Sequence, residues 1–313
     1  MNKLKMIGLT ALGTSLIASS AFAAELSVSG GAAITLNETG SVIGAHTGNG
    51  WTMGDSLNFT GTGELDNGWT ITTKMEIDGG AEDDHSISIA MGDAGTLVFG
   101  GHGSSSALSA VDDVTPNAYE ESWDVITGGD AQMINGAAND NMFIYTSPSF
   151  AGLTVTAAYV NASDATTDVS YNDFALAYSP EMVEGLTVGY AKGDTEETTG
   201  TQIDDSTMYI KYAYGPVTLG VQQSEQDHAT ASSDVEVTMM GVSYAITDNF
   251  SVAYNEAVFD SQTDTDDMES SGISWSYTMG SMTFAGAMND VDNVGYDADI
   301  DREGYEMGLS FAF

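Results

Sequence analysis

Large apolar side chains alternate with small or polar ones along most of the chain after residue 24. The last segment shows this most clearly, since large side chains occupy every second position: Tyr305, Met307, Leu309, Phe311 and Phe313. A period of two over about ten residues is typical of a tilted strand with one face in lipid and the other in water. No apolar run after residue 24 approaches the length of about 18 residues that a transmembrane helix needs. The pattern therefore predicts membrane strands.

The alternation divides the chain into sixteen predicted strands, an even number, as in bacterial outer-membrane barrels. They lie near residues 25–36, 54–65, 68–78, 84–92, 95–102, 141–148, 152–160, 170–179, 185–192, 204–214, 216–226, 235–246, 249–259, 269–279, 281–290 and 302–313.

The predicted connections alternate between tight turns and long acidic loops. The turns contain Gly, Asn, Asp or Pro, as at Asp66-Asn67-Gly68 and Gly215-Pro216, which suit the backbone angles of a reversal. The long connections are 37–53, 103–140, 161–169, 193–203, 227–234, 260–268 and 291–301, with a short one at 79–83. Short turns on one rim and long loops on the other predict an all-β fold, a 16-stranded antiparallel transmembrane β-barrel. A soluble β-sandwich is the alternative, but it would bury its apolar faces in one core without such rims.

The first residues have the features of a secretory signal. Lys3 and Lys5 precede a short apolar run, and Ala21-Phe22-Ala23 provides the small residues that a signal peptidase needs. We predict that residues 1–23 are a cleaved signal peptide and that 24–313 form the barrel.

Charge and cysteine content narrow the possible partners. Residues 24–313 carry 46 acids against four bases, a formal charge of −42. Nucleic acid is excluded as a partner, because phosphate binding needs the opposite sign. The absence of cysteine excludes disulfides and thiolate metal sites.

Several segments resemble a known family in their order and spacing. They are the start at 24–30, the segments 87–100 and 141–152, and the terminal Phe313. With them the chain resembles a Gram-negative general-diffusion porin of the trimeric type found in α-proteobacteria. The resemblance implies a homotrimer in the outer membrane, in contact with its lipid and lipopolysaccharide. It also implies that the barrel-assembly machinery recognises the last strand through Phe313.

The resemblance further implies that residues 103–140, the constriction loop, fold into the barrel and narrow it. A connection of 38 residues is far longer than usual. It carries apolar groups that a solvated loop does not need, namely Leu108, Val111, Val114, Tyr119, Trp123, Val125 and Ile126. Disorder of the loop is the alternative.

For the wall between subunits, the short predicted strands 84–92 and 95–102 are the candidates. In this region of the barrel Gly61, Gly63 and Gly101 have outward parity and permit close contact between barrels.

The charges predicted to line the constriction are mostly negative. The loop offers Asp112, Asp113, Glu120, Glu121, Asp124 and Asp130, while strand parity points Lys74, Glu76, Lys211 and Arg302 inward and Lys192 lies near an outer loop. The arginine cluster that the family sets against these acids is nearly absent. Because the Debye length is about 8 Å at physiological ionic strength, charges at the constriction act on passing ions while outer charges are screened. We expect a preference for cations; a weakly selective pore is the alternative.

No cofactor is expected, and the metal candidates are weak. Asp297, Asp299 and Asp301 alternate in a way that suits Ca²⁺, but Arg302 occupies the position where an EF-hand loop needs glycine. A solvated acidic rim is the simpler and favoured explanation of these carboxylates. His46, His85, His102 and His228 scatter along the chain, and no hydrolase motif occurs, so we do not expect an enzyme.

The sequence thus predicts a passive, water-filled channel for small hydrophilic solutes and ions. A substrate-specific outer-membrane channel, or a mainly structural or adhesive barrel, are the alternatives.

Overall fold

The structure is a computed structural model, and it describes residues 25–39, 50–124, 133–161, 170–196, 202–229 and 234–313. The predicted signal peptide, His46, Val125, Ile126 and Asp130 lie outside the described residues. Within those ranges, no helix has the length and apolar character needed to cross a membrane.

The described residues form one closed antiparallel barrel of sixteen strands, in which each strand pairs with its neighbours in sequence and β1 pairs with β16. The strands are β1 Glu25–Thr39, β2 Gly50–Glu64, β3 Thr70–Asp78, β4 Ala81–Ala90, β5 Thr96–His102, β6 Met142–Thr146, β7 Leu153–Val160, β8 Ser170–Tyr178, β9 Leu186–Glu196, β10 Gln202–Tyr214, β11 Val217–His228, β12 Val235–Thr247, β13 Phe250–Ser261, β14 Met268–Met279, β15 Met282–Asp292 and β16 Arg302–Ala312. The sequence prediction of the fold is confirmed, strand by strand.

The strands differ from the prediction mainly at the rim with the long connections. There β2 begins at Gly50 instead of residue 54, and β9 continues to Glu196 instead of ending at 192. The pairing of Glu196 with Gln202 shows why, since β9 and β10 continue their ladder to the end of both strands. The strands of the barrel therefore extend further toward the long-loop rim than the alternation of their side chains indicates.

Side chains sort between the two faces of the barrel wall with a period of two. On β14 and β15, Ile273 pairs with Met288 and both are exposed on the outer face. Ser274 and Asn289, the next residues along, face inward and are buried. The outer surface is thus a band of large apolar side chains, and the inner wall is mostly small or polar.

The barrel closes where the two ends of the chain meet. Gly30 and Phe313 exchange backbone hydrogen bonds of 2.8 and 2.9 Å next to the β1–β16 ladder. A side chain at Gly30 would come within 3.1 Å of the Phe313 ring and 2.9 Å of Leu57. Gly30 therefore lets the terminal aromatic residue pack directly against the closing strands.

Candidate functional site

The constriction loop, between β5 and β6, lies inside the barrel. Its backbone and side chains bond to inward-facing residues of β8, β11, β14, β15 and β16. Leu108 and Trp123 are almost completely buried. A single connection can reach strands that lie so far apart around a closed cylinder, and bury its side chains there, only by crossing the interior.

The base of the loop is fixed by two buried polar side chains. Ser106 accepts hydrogen bonds from the backbone N–H groups of Ser109 and Ala137 at 3.2 and 3.3 Å, which joins the two limbs of the loop. Asp173 on β8 accepts the N–H groups of Ala107 and Leu108 at 3.2 and 2.7 Å. A buried carboxylate with several N–H donors is a strong anchor, because bonds to a charged acceptor are stronger than neutral ones.

The middle of the loop is held by Gln222 on β11, which is fully buried. Its carbonyl accepts the Val114 N–H at 2.8 Å, and its amide donates to the carbonyls of Val111 and Asp112 at 3.0 and 2.6 Å. One side chain thus satisfies three backbone groups of the loop.

Glycines on the inner wall leave room for the loop to approach the strands. A side chain at Gly220 would come within 2.6 Å of the Pro116 ring, and one at Gly241 within 2.8 Å of the Pro116 carbonyl oxygen. Similar close approaches occur at Gly272 against Ser122 and at Gly308 against Tyr119. We call these four inward glycines, Gly220, Gly241, Gly272 and Gly308, the glycine track.

The far end of the loop is anchored on β14, β15 and β16. Ser274 accepts the Ala118 N–H at 3.1 Å, and the hydroxyls of Ser122 and Ser270 lie 2.9 Å apart. The Asn289 amide donates to the Glu121 carbonyl at 2.7 Å. The acidic stretch of the loop is therefore attached to the inner wall of β14 and β15.

Two apolar clusters pack the loop against the wall. One joins Leu108 to Met142 and Tyr171, and the other joins Trp123 to Phe259 and Met268. The Trp123 and Phe259 rings meet edge to face, with centroids 6.4 Å apart. The expectation that the apolar loop residues need a wall is confirmed for those two. Disorder is therefore wrong for the described part of the loop.

The loop acids form one crowded cluster. Oxygen atoms of Glu120, Glu121 and Asp124 lie within 4.8 Å of one another. Asp113 N–H bonds to the carboxylate of Asp112 at 3.0 Å, and the Asn117 amide donates to Glu121.

This crowding makes several of the acids hard to ionise. Burial, together with the hydrogen bond to Asp124 and the charge of Asp113, raises the pKa of Glu121 to about 9. Burial and the charges of Asp124 and Glu306 raise the pKa of Glu120 to about 7. Burial and neighbouring Asp113 raise the pKa of Asp112 to about 6. The charge of the constriction therefore changes across the neutral range of pH.

The bases do not gather opposite these acids. Lys74 on β3 lies 3.3 Å from Glu76 on the same inward face, so a carboxylate already neutralises it. Lys211 pairs with Gly220 in the β10–β11 ladder, one strand away from Pro116, and Arg302 is the first residue of β16 at the long-loop rim. Lys192 faces outward and lies 3.5 Å from Asp204.

The weaker candidates are distributed as follows. The oxygens of Asp297, Asp299 and Asp301 do not converge within 4.8 Å, and Asp297 and Asp301 instead accept backbone N–H groups.

The expectation that nothing gathers the histidines needs a correction. His85 and His102 are opposite each other on β4 and β5, with stacked rings 6.3 Å apart, because a register shift at Gly101 brings His102 opposite His85.

Sequence reasoning missed the wall residues that hold the loop: Asp173, Gln222, Ser270, Ser274, Asn289 and Glu306. Each lies at an inward position where a polar residue is expected whether it faces water or the loop. The one available signal was the inward glycines, since a lumen wall facing only water has no need for them.

Comparisons with known proteins agree with this geometry. Residues 8–267 match the model of a family described as Gram-negative porin. None of the curated proteins compared with the chain matches its sequence.

Solved structures share the fold at low identity. The anion-selective porin from Comamonas acidovorans is 16% identical, with a TM-score of 0.70 over 93% of this chain and 100% of that one. The outer-membrane-expressed OmpT of Vibrio cholerae is 12% identical, with a TM-score of 0.70 over 93% and 98%. OmpF of Salmonella typhi, in complex with daunomycin, is 13% identical, with a TM-score of 0.70 over 92% and 98%.

Proposed function

Because the chain belongs to the Gram-negative porin family and is an outer-membrane channel protein, we propose that it is a general-diffusion channel that prefers cations. Small hydrophilic solutes and ions cross the outer membrane through its water-filled lumen without a bound cofactor. The fold and the family favour a channel over an enzyme.

The observation that carries the cation preference is the imbalance of charge across the lumen. Asp112, Asp113, Glu120, Glu121 and Asp124 lie along one loop that is bound to the β11–β16 side. On the other side, the charge of Lys74 is cancelled by Glu76 at 3.3 Å. A constriction lined by acids without a matching set of bases attracts cations and repels small anions, and more strongly as the pH rises and Glu120 and Glu121, with raised pKa values, ionise.

The shared fold does not decide the sign of the selectivity. One structure with this fold is described as an anion-selective porin. Selectivity depends on which charged side chains line the opening, and only the residues of this chain can support the proposal.

A substrate-specific channel is less well supported. Such channels use aromatic side chains along the lumen, yet Trp123 is buried against Phe259 and leaves 3% of its surface exposed. Tyr209 packs over Gly189 on the neighbouring strand and is 9% exposed.

We further propose that the chain forms a homotrimer through the wall that contains β4, β5 and β6. These strands include the two shortest of the barrel, and Phe99 and Phe143 form an outward aromatic pair 4.8 Å apart. The outward Gly63 has open space around it, which permits close approach of another barrel. The OmpT of Vibrio cholerae is described in a trimer form.

The experiment that tests the function is a planar-bilayer recording of the purified protein in a KCl gradient. We expect stepwise conductance and a reversal potential of the sign set by K⁺ permeation. A reversal potential set by chloride contradicts the cation preference, and liposome swelling that saturates with one solute contradicts general diffusion.

A further inference from the structure

A groove lies on the outer face of the barrel, where β13 to β16 meet the long-loop rim. Its volume is 490 Å³, and it lies on the opposite side of the wall from the constriction loop. Two rows of outward side chains line it, and the strand register fixes which residues share each row.

The lower row of the groove is apolar and aromatic. Tyr254 pairs with Ile273, Ile273 with Met288, and Met288 with Tyr305, across four neighbouring strands. Met288 and Ile273 are 69% and 58% exposed, so hydrocarbon can contact them. Tyrosines at the end of such a band are typical of the membrane–water interface.

The upper row lies two residues closer to the long-loop rim along each strand, and it is acidic. Ser271 pairs with Asp290, and Asp290 pairs with Glu303. Ser271 is the small residue of the row and lies in the groove between Asp290 and Glu256. Glu256 already accepts a hydrogen bond from Tyr254 at 2.9 Å.

Two carboxylates directly opposite each other in a β-ladder destabilise the pair. Other outward acid pairs have a donor nearby: Lys192 lies 3.5 Å from Asp204, and Gln223 donates to Glu236 at 2.6 Å. Asp290 and Glu303 are both exposed and line the groove. Arg302, the residue before Glu303, has the inward parity of Glu306, which bonds to the loop.

We propose that this groove binds a lipid with a primary-ammonium head group. The ammonium lies between Asp290 and Glu303 and donates to both, and an acyl chain lies over Ile273 and Met288. The charge pattern selects this occupant, because the carboxylates of Glu256, Asp290 and Glu303 offer only acceptors and negative charge, while an ammonium supplies three donors and a positive charge. A phosphate group presented without a cation would be repelled.

The test uses the whole folded protein in detergent and native mass spectrometry. Phosphatidylethanolamine and phosphatidylglycerol of equal chain length are titrated separately in the presence of EDTA. We expect the first phosphatidylethanolamine molecule to bind with a Kd about tenfold lower than that of the first phosphatidylglycerol molecule. One added charge-assisted hydrogen bond provides a difference of this size.

Variants locate the binding. In the double variant Asp290→Asn, Glu303→Gln the difference between the two lipids falls to about twofold or less, since the charge is removed at constant shape. Ser271→Phe fills the groove and removes the tight binding of phosphatidylethanolamine. The control Glu225→Gln, Glu236→Gln alters a similar outward pair without this groove and keeps the wild-type preference.

Equal binding of both lipids to the wild type overturns the proposal, as does a preference that survives in the Asp290→Asn, Glu303→Gln protein. Stronger binding of phosphatidylglycerol when Mg²⁺ replaces EDTA, lost in the same double variant, identifies a metal-bridged phosphate and also overturns it.

Discussion

Tyr119, on the constriction loop, donates a 2.5 Å hydrogen bond to the carboxylate of Glu306 on β16. Its hydroxyl also lies where a side chain at Gly308 would otherwise extend. Burial and the charge of Glu306 raise the pKa of Tyr119, so the phenol stays protonated and keeps donating. This one contact ties the acidic stretch of the loop to the strand that closes the barrel.

Replacing Tyr119 by Phe removes the hydroxyl and leaves the ring. We expect the free energy that holds the far part of the loop on the wall to fall by about 1.5–3 kcal/mol, which is the value of a hydrogen bond to a charged acceptor. Single-channel records should then show more frequent transitions between conductance levels. Tyr254→Phe is the matched control, because Tyr254 bonds to Glu256 on the outer face, and it should leave the records unchanged. Equal noise in both variants would argue against the tether.

Gly241→Val places two methyl groups where Pro116 now approaches the wall. Overpacking of this kind costs about 1–3 kcal/mol, so the loop is expected to move toward the lumen centre or detach, while the strand itself tolerates valine. Single-channel conductance should differ clearly from the wild type in an otherwise intact barrel. As a control, Gly63→Val adds the same side chain at an outward position with open space. An unchanged conductance in Gly241→Val would show that the loop does not depend on the glycine track.

Cation selectivity should rise with pH. The raised pKa values of Asp112, Glu120 and Glu121, at about 6, 7 and 9, mean that these acids gain negative charge one after another between about pH 6 and 9. The K⁺/Cl⁻ permeability ratio from reversal potentials should increase over that range and decrease as the solution is acidified.

Glu121→Gln isolates the group with the highest pKa. The rise in selectivity above about pH 8 should disappear in this variant, because the amide that replaces the carboxylate cannot ionise, while the rise at lower pH persists. Asp66→Asn, in a tight turn at the other rim, should behave as the wild type. A ratio independent of pH in the wild type would mean that these acids do not control permeation.

Asp173→Asn weakens the base of the loop. The carboxylate is 5% exposed and accepts the N–H groups of Ala107 and Leu108. We expect a loss of about 1.5–3 kcal/mol for each weakened bond and a fall of several degrees in the thermal unfolding midpoint measured by circular dichroism in detergent. Asp248→Asn, in an exposed turn, is the control. An unchanged midpoint would show that Asp173 is not an anchor.

The strands could be predicted from the sequence because the two faces of each strand carry side chains of different chemistry, large and apolar on the outer face and mostly small or polar on the inner face. Ile273 and Ser274, or Met288 and Asn289, already show by their chemistry which face each occupies. The prediction ended β9 too early and began β10 too late, because residues such as Asp194 have low strand propensity, while backbone pairing with a neighbour continues regardless of it.

The path of the constriction loop could not be predicted in the same way. A polar inward residue such as Gln222 or Asn289 suits water and loop equally well, so its partner depends on contacts more than 100 residues away in sequence. Phe259 and Met268 even break the alternation, since they face inward under Trp123. Only the three-dimensional arrangement shows that part of the inner wall is dry.

Alternate side chains of each strand are expected to face a water-filled pore. Because the chain has no cysteine, single cysteines at adjacent positions of β2 test it directly. Thr60 pairs with Lys74 on the inner face, and Phe59 pairs with Met75 on the outer face. During planar-bilayer recording, a positively charged, membrane-impermeant thiosulfonate should lower the conductance of Thr60→Cys channels in discrete steps and leave Phe59→Cys channels unchanged. A change of conductance at Phe59→Cys, or none at Thr60→Cys, would show that the side chains of β2 do not sort between lipid and a water-filled pore in this way.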